Sequence, residues 1–176
     1  KRCGDIAIGL DISPDMLHKT RESLWGSEKD TPLVCADGKK LPFENNTFNS
    51  VVSVNSILPE ERLDAERMFM ELHRVLRSGG RFVAYLVSYD YGTKVINSGI
   101  ELKRDPANFR EWDTGGWQCC YTKEIIETLM RKAGYSEWKV EVDVFSHEEE
   151  LEDAKRIYQF DFSQTPIEEY FLVARK

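Results

Sequence analysis

No two of the 11 glycines have a single residue between them, so the sequence contains no Gly-x-Gly, and no P-loop can be traced along it. Positive charge is in deficit: 24 Lys and Arg face 31 Asp and Glu, for a net charge of -7. That balance argues against a nucleic-acid backbone as the main partner, since counterion release needs clustered bases, although one local basic patch would still serve RNA. Apolar runs are short, as at 82–87 and 170–174. None approaches the ~20 residues that span a bilayer, and no signal-peptide pattern opens the chain. The four cysteines, Cys3, Cys35, Cys119 and Cys120, form no Cys-x-x-Cys pair of a structural zinc site, and adjacent cysteines rarely bond each other. They read as reduced thiols of a cytoplasmic protein, with a redox role for Cys119 and Cys120 as the alternative. The three histidines, His18, His73 and His147, fall on predicted helices or caps, with no metal-ligand cluster and no Ser-His-Asp arrangement around them. What the chain does have is 41% hydrophobic residues over a length of 176, enough for one sizeable core.

That apolar material is arranged in alternating periods. Residues 6–10, 33–36 and 50–54 are short apolar runs that predict buried strands. Ser13-Pro14-Asp15 supplies an N-cap with proline at the first helical position, predicting a helix that runs to about Trp25-Gly26. Ala65, Met68, Phe69, Leu72, Val75 and Leu76 recur at helical spacing within 60–76, and Ser78-Gly79-Gly80 stops that helix. Residues 81–87 predict a strand, and 122–133 a helix closed by Gly134. Trp138, Val140, Val142 and Val144 alternate with charged residues, the period of a half-exposed strand. Ser146 and Glu149 make a capping box before an acidic helix, and 168–174 is the last strand. Short buried strands alternating with helices predict an α/β domain with a mostly parallel sheet. Residues 88–120 fit neither period and exceed an ordinary connection, which marks them as a functional loop.

In an open parallel sheet, ligands bind beyond the carboxyl ends of the strands. Asp11 and Asp37 follow the first and second predicted strands, so they belong on one edge, on the order of 5–10 Å apart. One such acid can accept both hydroxyls of a ribose, and the other the amine of an adenine. The competing reading is that either acid caps the turn that follows it, as Asp often does.

Four segments carry a resemblance. Ala7-Ile8-Gly9-Leu10-Asp11-Ile12-Ser13-Pro14-Asp15-Met16-Leu17 resembles the second-strand segment of class I S-adenosylmethionine-dependent methyltransferases. Cys35-Ala36-Asp37-Gly38, with Leu41-Pro42-Phe43 and Asn46-Thr47-Phe48, is similar to the third- and fourth-strand motifs of the small-molecule-type branch. Glu71-Leu72-His73-Arg74-Val75-Leu76-Arg77-Ser78-Gly79-Gly80-Arg81-Phe82 resembles the family's helix and fifth strand. Tyr170 to Lys176 resembles its last strand, which inserts antiparallel. Each segment alone is weak; four in register are specific for the fold.

The resemblance implies a Rossmann-like methyltransferase fold and S-adenosylmethionine as cofactor. It places Asp11 on the ribose hydroxyls, Ile12 against the adenine, Asp37 on the adenine amine and the Gly38 amide towards the ring. Asn55 falls near the methionine end. Trp112, Trp117 and Tyr121 would line an acceptor pocket in an insertion over 88–121, with core packing as the alternative. A small-molecule acceptor is expected, and no membrane partner.

Two departures matter. Asn49 stands where the family commonly has Asp, at a structural position. The glycine-rich loop of the family's first strand has no counterpart, so 1–176 reads as a single methyltransferase-like domain shortened at its N-terminus by a strand and a helix. A sheet without its central strand would leave two apolar edges open to self-association. A non-catalytic binding module and a nicotinamide-dependent oxidoreductase are the alternatives; Asp37-Gly38 with Leu41-Pro42-Phe43 fits the latter poorly.

Overall fold

The computed structural model describes residues 6–24, 30–97, 102–113, 116–145 and 167–176. In chain order the elements are β1 (Gly9–Asp11), α1 (Pro14–Ser23), β2 (Leu33–Cys35), β3 (Phe48–Val54), α2 (Arg62–Val75), β4 (Leu76–Val87), α3 (Tyr89–Asn97), β5 (Arg104–Asp105), β6 (Arg110–Asp113), β7 (Gly116–Cys119), α4 (Lys123–Ala133), β8 (Glu137–Phe145) and β9 (Ile167–Arg175). β1 and β2 pair in parallel. A second sheet has the order β3-β4-β9-β8. β3 and β4 are parallel, and β9 is antiparallel to both its neighbours, so β8 runs the same way as β3 and β4. The fold is the α/β arrangement with an antiparallel last strand that the sequence predicts, but its sheets are mixed: among the described residues two strand pairings are parallel and four antiparallel.

One face of the larger sheet and two helices make the core. Along β4 and β9 the alternate residues Phe82, Ala84, Leu86, Tyr170, Leu172 and Ala174 are buried. Ala65 and Phe69 of α2 and Ile126, Leu129 and Met130 of α4 cover them. Phe69 meets Phe82 edge-on, with ring centroids 5.8 Å apart. Thr122 opens α4 by accepting from the Ile125 amide, and Gly134 closes it at φ 89°, a left-handed conformation that costs a glycine nothing. At the carboxyl end of β4, Ser88 bridges to Tyr121 and the Tyr121 amide donates to the Val87 carbonyl, which joins the sheet to the segment just past the meander β5-β6-β7.

Four expectations need correction. Ile6 and Ile8 lie outside β1 and are exposed, Ile6 at 85%. The ladder starts at Gly9, whose amide donates to the Pro32 carbonyl (2.9 Å), and Pro32 has no N–H with which to extend it. The strand predicted at 81–87 begins at Leu76: α2 ends at Val75 and Leu76 is already extended, so Gly79 and Gly80 lie within β4 rather than just past a helix. The 88–120 segment is not a loop but α3 followed by an antiparallel meander. Its strands of two to four residues are too short to show a period. α1 stops at Ser23, where the Leu24 amide closes on the Thr20 carbonyl. The capping box at Ser146 and Glu149, together with Cys3, Trp25 and His147, lies outside the described residues.

Candidate cofactor and acceptor site

Asp11 closes β1 opposite Cys35 of β2, and the Ala36 amide donates to the Asp11 carbonyl at 3.0 Å. Asp37 therefore follows directly on the residue hydrogen-bonded to Asp11. Each carboxylate uses Oδ1 on a local turn. Asp11 accepts from the Ser13 amide (2.8 Å) and so fixes the entry to α1, while Asp37 accepts from the Lys39 amide (2.9 Å). The turn-capping alternative thus holds for one oxygen of each acid and leaves Oδ2 outside the turn. Asp37 Oδ2 lies 3.5 Å from Lys39 Nζ, which donates in turn to Asp64 of α2 at 3.0 Å. The hydrogen bond to Asp64 and the charge of Asp37 hold the Lys39 ammonium above its ordinary range.

The remaining predicted residues differ in their settings. Ile12 is 66% exposed, an apolar side chain standing open beside Asp11. Gly38 lies close on α2: a Cβ there would stand 2.7 Å from Met68 Cε. Asn55 follows β3 with φ 45°. Its amide donates to the Tyr85 carbonyl (3.1 Å) and its Nδ2 to Glu169 of β9 (2.5 Å). Asn55 Oδ1 is buried with no hydrogen-bond partner among the described residues.

The structure parts the three predicted aromatic acceptor residues. Trp112 and Trp117 meet across β6 and β7, whereas Tyr121 is buried in the core and its hydroxyl donates to the Ile57 carbonyl at 2.7 Å. Burial drives the Tyr121 phenol far up, so it acts as a packed anchor. Cys119 and Cys120 are free and buried, and desolvation raises both thiols, which leaves neither as a ready thiolate.

A polar network at the carboxyl edge of the larger sheet escapes sequence reading. Tyr85 donates to Asp143 (2.7 Å), Tyr170 to Asp90 (2.5 Å) and Lys94 to Glu168 (2.6 Å), beside the Asn55–Glu169 bond. Its signal was Glu168-Glu169 opening an otherwise apolar strand. Burial, reinforced by the Asp90 carboxylate, pushes the Tyr170 phenol up. Among the described residues no cluster of His, Cys, Asp and Glu offers a metal site, and no helix is long and apolar enough to cross a membrane.

With β1–β2 and β3–β4 paired in parallel, β9 inserted antiparallel, Asp11 closing β1 and Asp37 two residues past β2, the chain has a Rossmann-like fold. A SAM-dependent methyltransferase from Methanosarcina mazei has the same fold, with a TM-score of 0.67 and 16% identity over 96% of this chain and 81% of that one. Residues 1–84, just under half of the chain, match the family model described as "Methyltransferase domain". The chain is 32% identical over 93 residues to a demethylmenaquinone methyltransferase of Corynebacterium urealyticum, covering 53% of this chain and 35% of the relative. It is also 35% identical over 91 residues to the 18S rRNA (guanine-N(7))-methyltransferase bud23 of Schizosaccharomyces pombe, covering 46% and 32%. The chain thus spans about a third of the length of these curated relatives.

Proposed function

We propose that this chain holds the adenosine end of S-adenosylmethionine and serves methyl transfer to a small-molecule acceptor in the cytoplasm. The observation that carries the reading is the placement of Asp11 and Asp37 at the carboxyl ends of two adjacent parallel strands, with Ile12 open beside them. Asp11 Oδ2 would take ribose hydroxyls while Oδ1 keeps the Ser13 amide in place. Asp37 would accept from the adenine amine, Ile12 would cover one face of the ring, and the Gly38 amide would lie at its edge. The unpartnered Asn55 Oδ1 fits a donor such as the amino group of the methionine end.

The bound cofactor supplies a methyl group on an already activated sulfonium, so the protein's task is to align the reactants and exclude water rather than to provide a strong base. The acceptor side falls to α3 and the meander within 88–121, where Trp112 and Trp117 stand together. A quinone-type relative favours a small molecule, and the net charge of -7 weighs against the RNA backbone that bud23's substrate would present. Among the described residues β1 and β3 are each paired on one side only.

Calorimetric titration of the full-length protein with S-adenosylmethionine and with NAD tests the reading. Binding of S-adenosylmethionine alone is expected; binding of NAD, or of neither, would overturn it.

A further inference from the structure

Trp112 and Trp117 are a register pair across β6 and β7, with rings at 90° and centroids 5.7 Å apart. The corner between them is filled from within the chain. Lys103 Nζ stands 4.5 Å from the Trp112 centroid and 5.2 Å from that of Trp117. The lysine is carried there by the backbone, because its carbonyl accepts from the Trp112 amide at 2.9 Å. The guanidinium of Arg110 lies 5.3 Å from the Trp117 centroid.

These two cations are held differently. Arg110 is bound by Asp105 (2.7 Å) and Glu61 (3.0 Å), so its position is set by carboxylates whatever the tryptophans do. Lys103 has no carboxylate partner among the described residues, and the two ring faces are its attractive contacts. Trp112 is partly open to solvent, so the corner is reached from outside. Two perpendicular aromatic faces around one ammonium are the geometry that recognises alkylated amines, since the negative face of each ring attracts the cation. A primary ammonium is the poorer guest, because it is compact and strongly hydrated and keeps paying to leave water. An ammonium clothed in methyl or alkyl groups carries the same charge with less hydration and adds apolar contact with the indoles.

We propose that the Trp112–Trp117 corner is a binding site for an alkylated ammonium group of the acceptor, with Lys103 as its resident intramolecular occupant. The inference rests on the reading of the meander as the acceptor side, and it assigns that acceptor a cationic, alkylated nitrogen as its recognition handle. The ligand's ammonium takes the corner, and the flexible lysine side chain swings out to water.

Choline and its uncharged isostere 3,3-dimethylbutan-1-ol are the probes, followed through the indole N–H resonances of Trp112 and Trp117. The Trp138 resonance, from a ring packed on the core, reports that the fold is intact. Choline is expected to give saturable shifts at both indoles, and the isostere to bind roughly tenfold more weakly or not at all. Lys103→Ala removes the internal competitor and is expected to tighten choline binding about three- to tenfold. Trp117→Leu is expected to abolish the shift at Trp112 with Trp138 unmoved. Equal shifts from choline and the isostere, or no saturable choline binding in either the native chain or Lys103→Ala, would overturn the proposal. Methyl transfer to a neutral acceptor that depends on Trp117 would sink the ammonium handle and leave the function standing. A choline site in a protein that fails to bind S-adenosylmethionine would do the reverse.

Discussion

Asp11 performs two tasks with two oxygens, and substitution can separate them. Asp11→Asn keeps an oxygen for the Ser13 amide and removes the charge that would meet the ribose; Asp11→Ala removes both. A charged acceptor on hydroxyls contributes roughly 1.5–3 kcal/mol. In protein that binds the cofactor, Asp11→Asn should therefore weaken affinity by about tenfold at an unchanged melting temperature. Asp11→Ala should lose up to about a hundredfold and melt lower. Calorimetry and thermal melts on the pair check this; full affinity in Asp11→Asn would remove the residue from the ribose site. His73 gives a second test at this scale. Its ring packs edge-on against Tyr135, centroids 5.0 Å apart, and burial, then the Lys176 charge, hold its pKa below 6.5. The folded state thus binds this proton less readily than the unfolded chain, and the associated stability is present above about pH 6.5 and lost as pH falls below it through the lower, folded-state pKa. Melting temperature should fall as pH drops below about 6.5, and less steeply in His73→Gln. Asp64, Glu71, Asp105 and Glu124, whose carboxyl groups lie below their ordinary range, should add losses only at more acidic pH.

Among the elements, the meander is the one built mainly from polar contacts. Arg104 of β5 pairs with Glu111 of β6 at 3.0 Å, both nine-tenths buried or nearly so, and its guanidinium lies 3.5 Å from the Tyr89 ring centroid. The same guanidinium donates to Thr93 (2.8 Å), and the Glu111 carboxylate packs so closely on Gly92 that a Cβ there would overlap it. α3 is therefore clamped to the meander through one ion pair. Glu111→Ala strands the Arg104 charge, a change that costs roughly 3–5 kcal/mol when the pair is buried. Hydrogen exchange should accelerate across Tyr89–Asn97 and the meander, while the strands β3, β4, β8 and β9 keep their protection. Uniform acceleration throughout would mean that the clamp is inseparable from the core. Tyr121 belongs to that core rather than to the acceptor side, so the clamp can loosen without opening its packing.

For the molecule as a whole, the two faces of the larger sheet are unequal. α2 and α4 cover one; on the other, Val52 and Val54 of β3 are 69% and 62% exposed, next to a strand edge that no described strand pairs. Apolar side chains beside an open edge invite a second chain. The 176-residue chain is therefore expected to self-associate through β3, and Val52→Lys to shift it towards monomer at unchanged secondary structure. Sedimentation velocity decides this, and an unchanged distribution in the variant would place any association elsewhere.

Period and punctuation in the sequence determined the strand–helix alternation, the amphipathic face of α2, the Gly134 stop of α4 and the acids at or just past the ends of β1 and β2. These are local properties: an apolar repeat selects a face, and a glycine or an Asp selects a turn, wherever the chain later goes. The helix facing α4 was legible because Ala65, Met68, Phe69, Leu72 and Val75 recur through it at helical spacing; the meander was not, because strands of two to four residues carry no measurable period. Only the tertiary structure decided that Tyr121 is a core anchor while Trp112 and Trp117 face each other, and that Asn55 meets Glu169, 114 residues away. It likewise placed Lys103 between two indoles and Asp90 under Tyr170. Partners so distant in sequence are set by strand register, which depends on how every intervening element packs, and no local pattern records it.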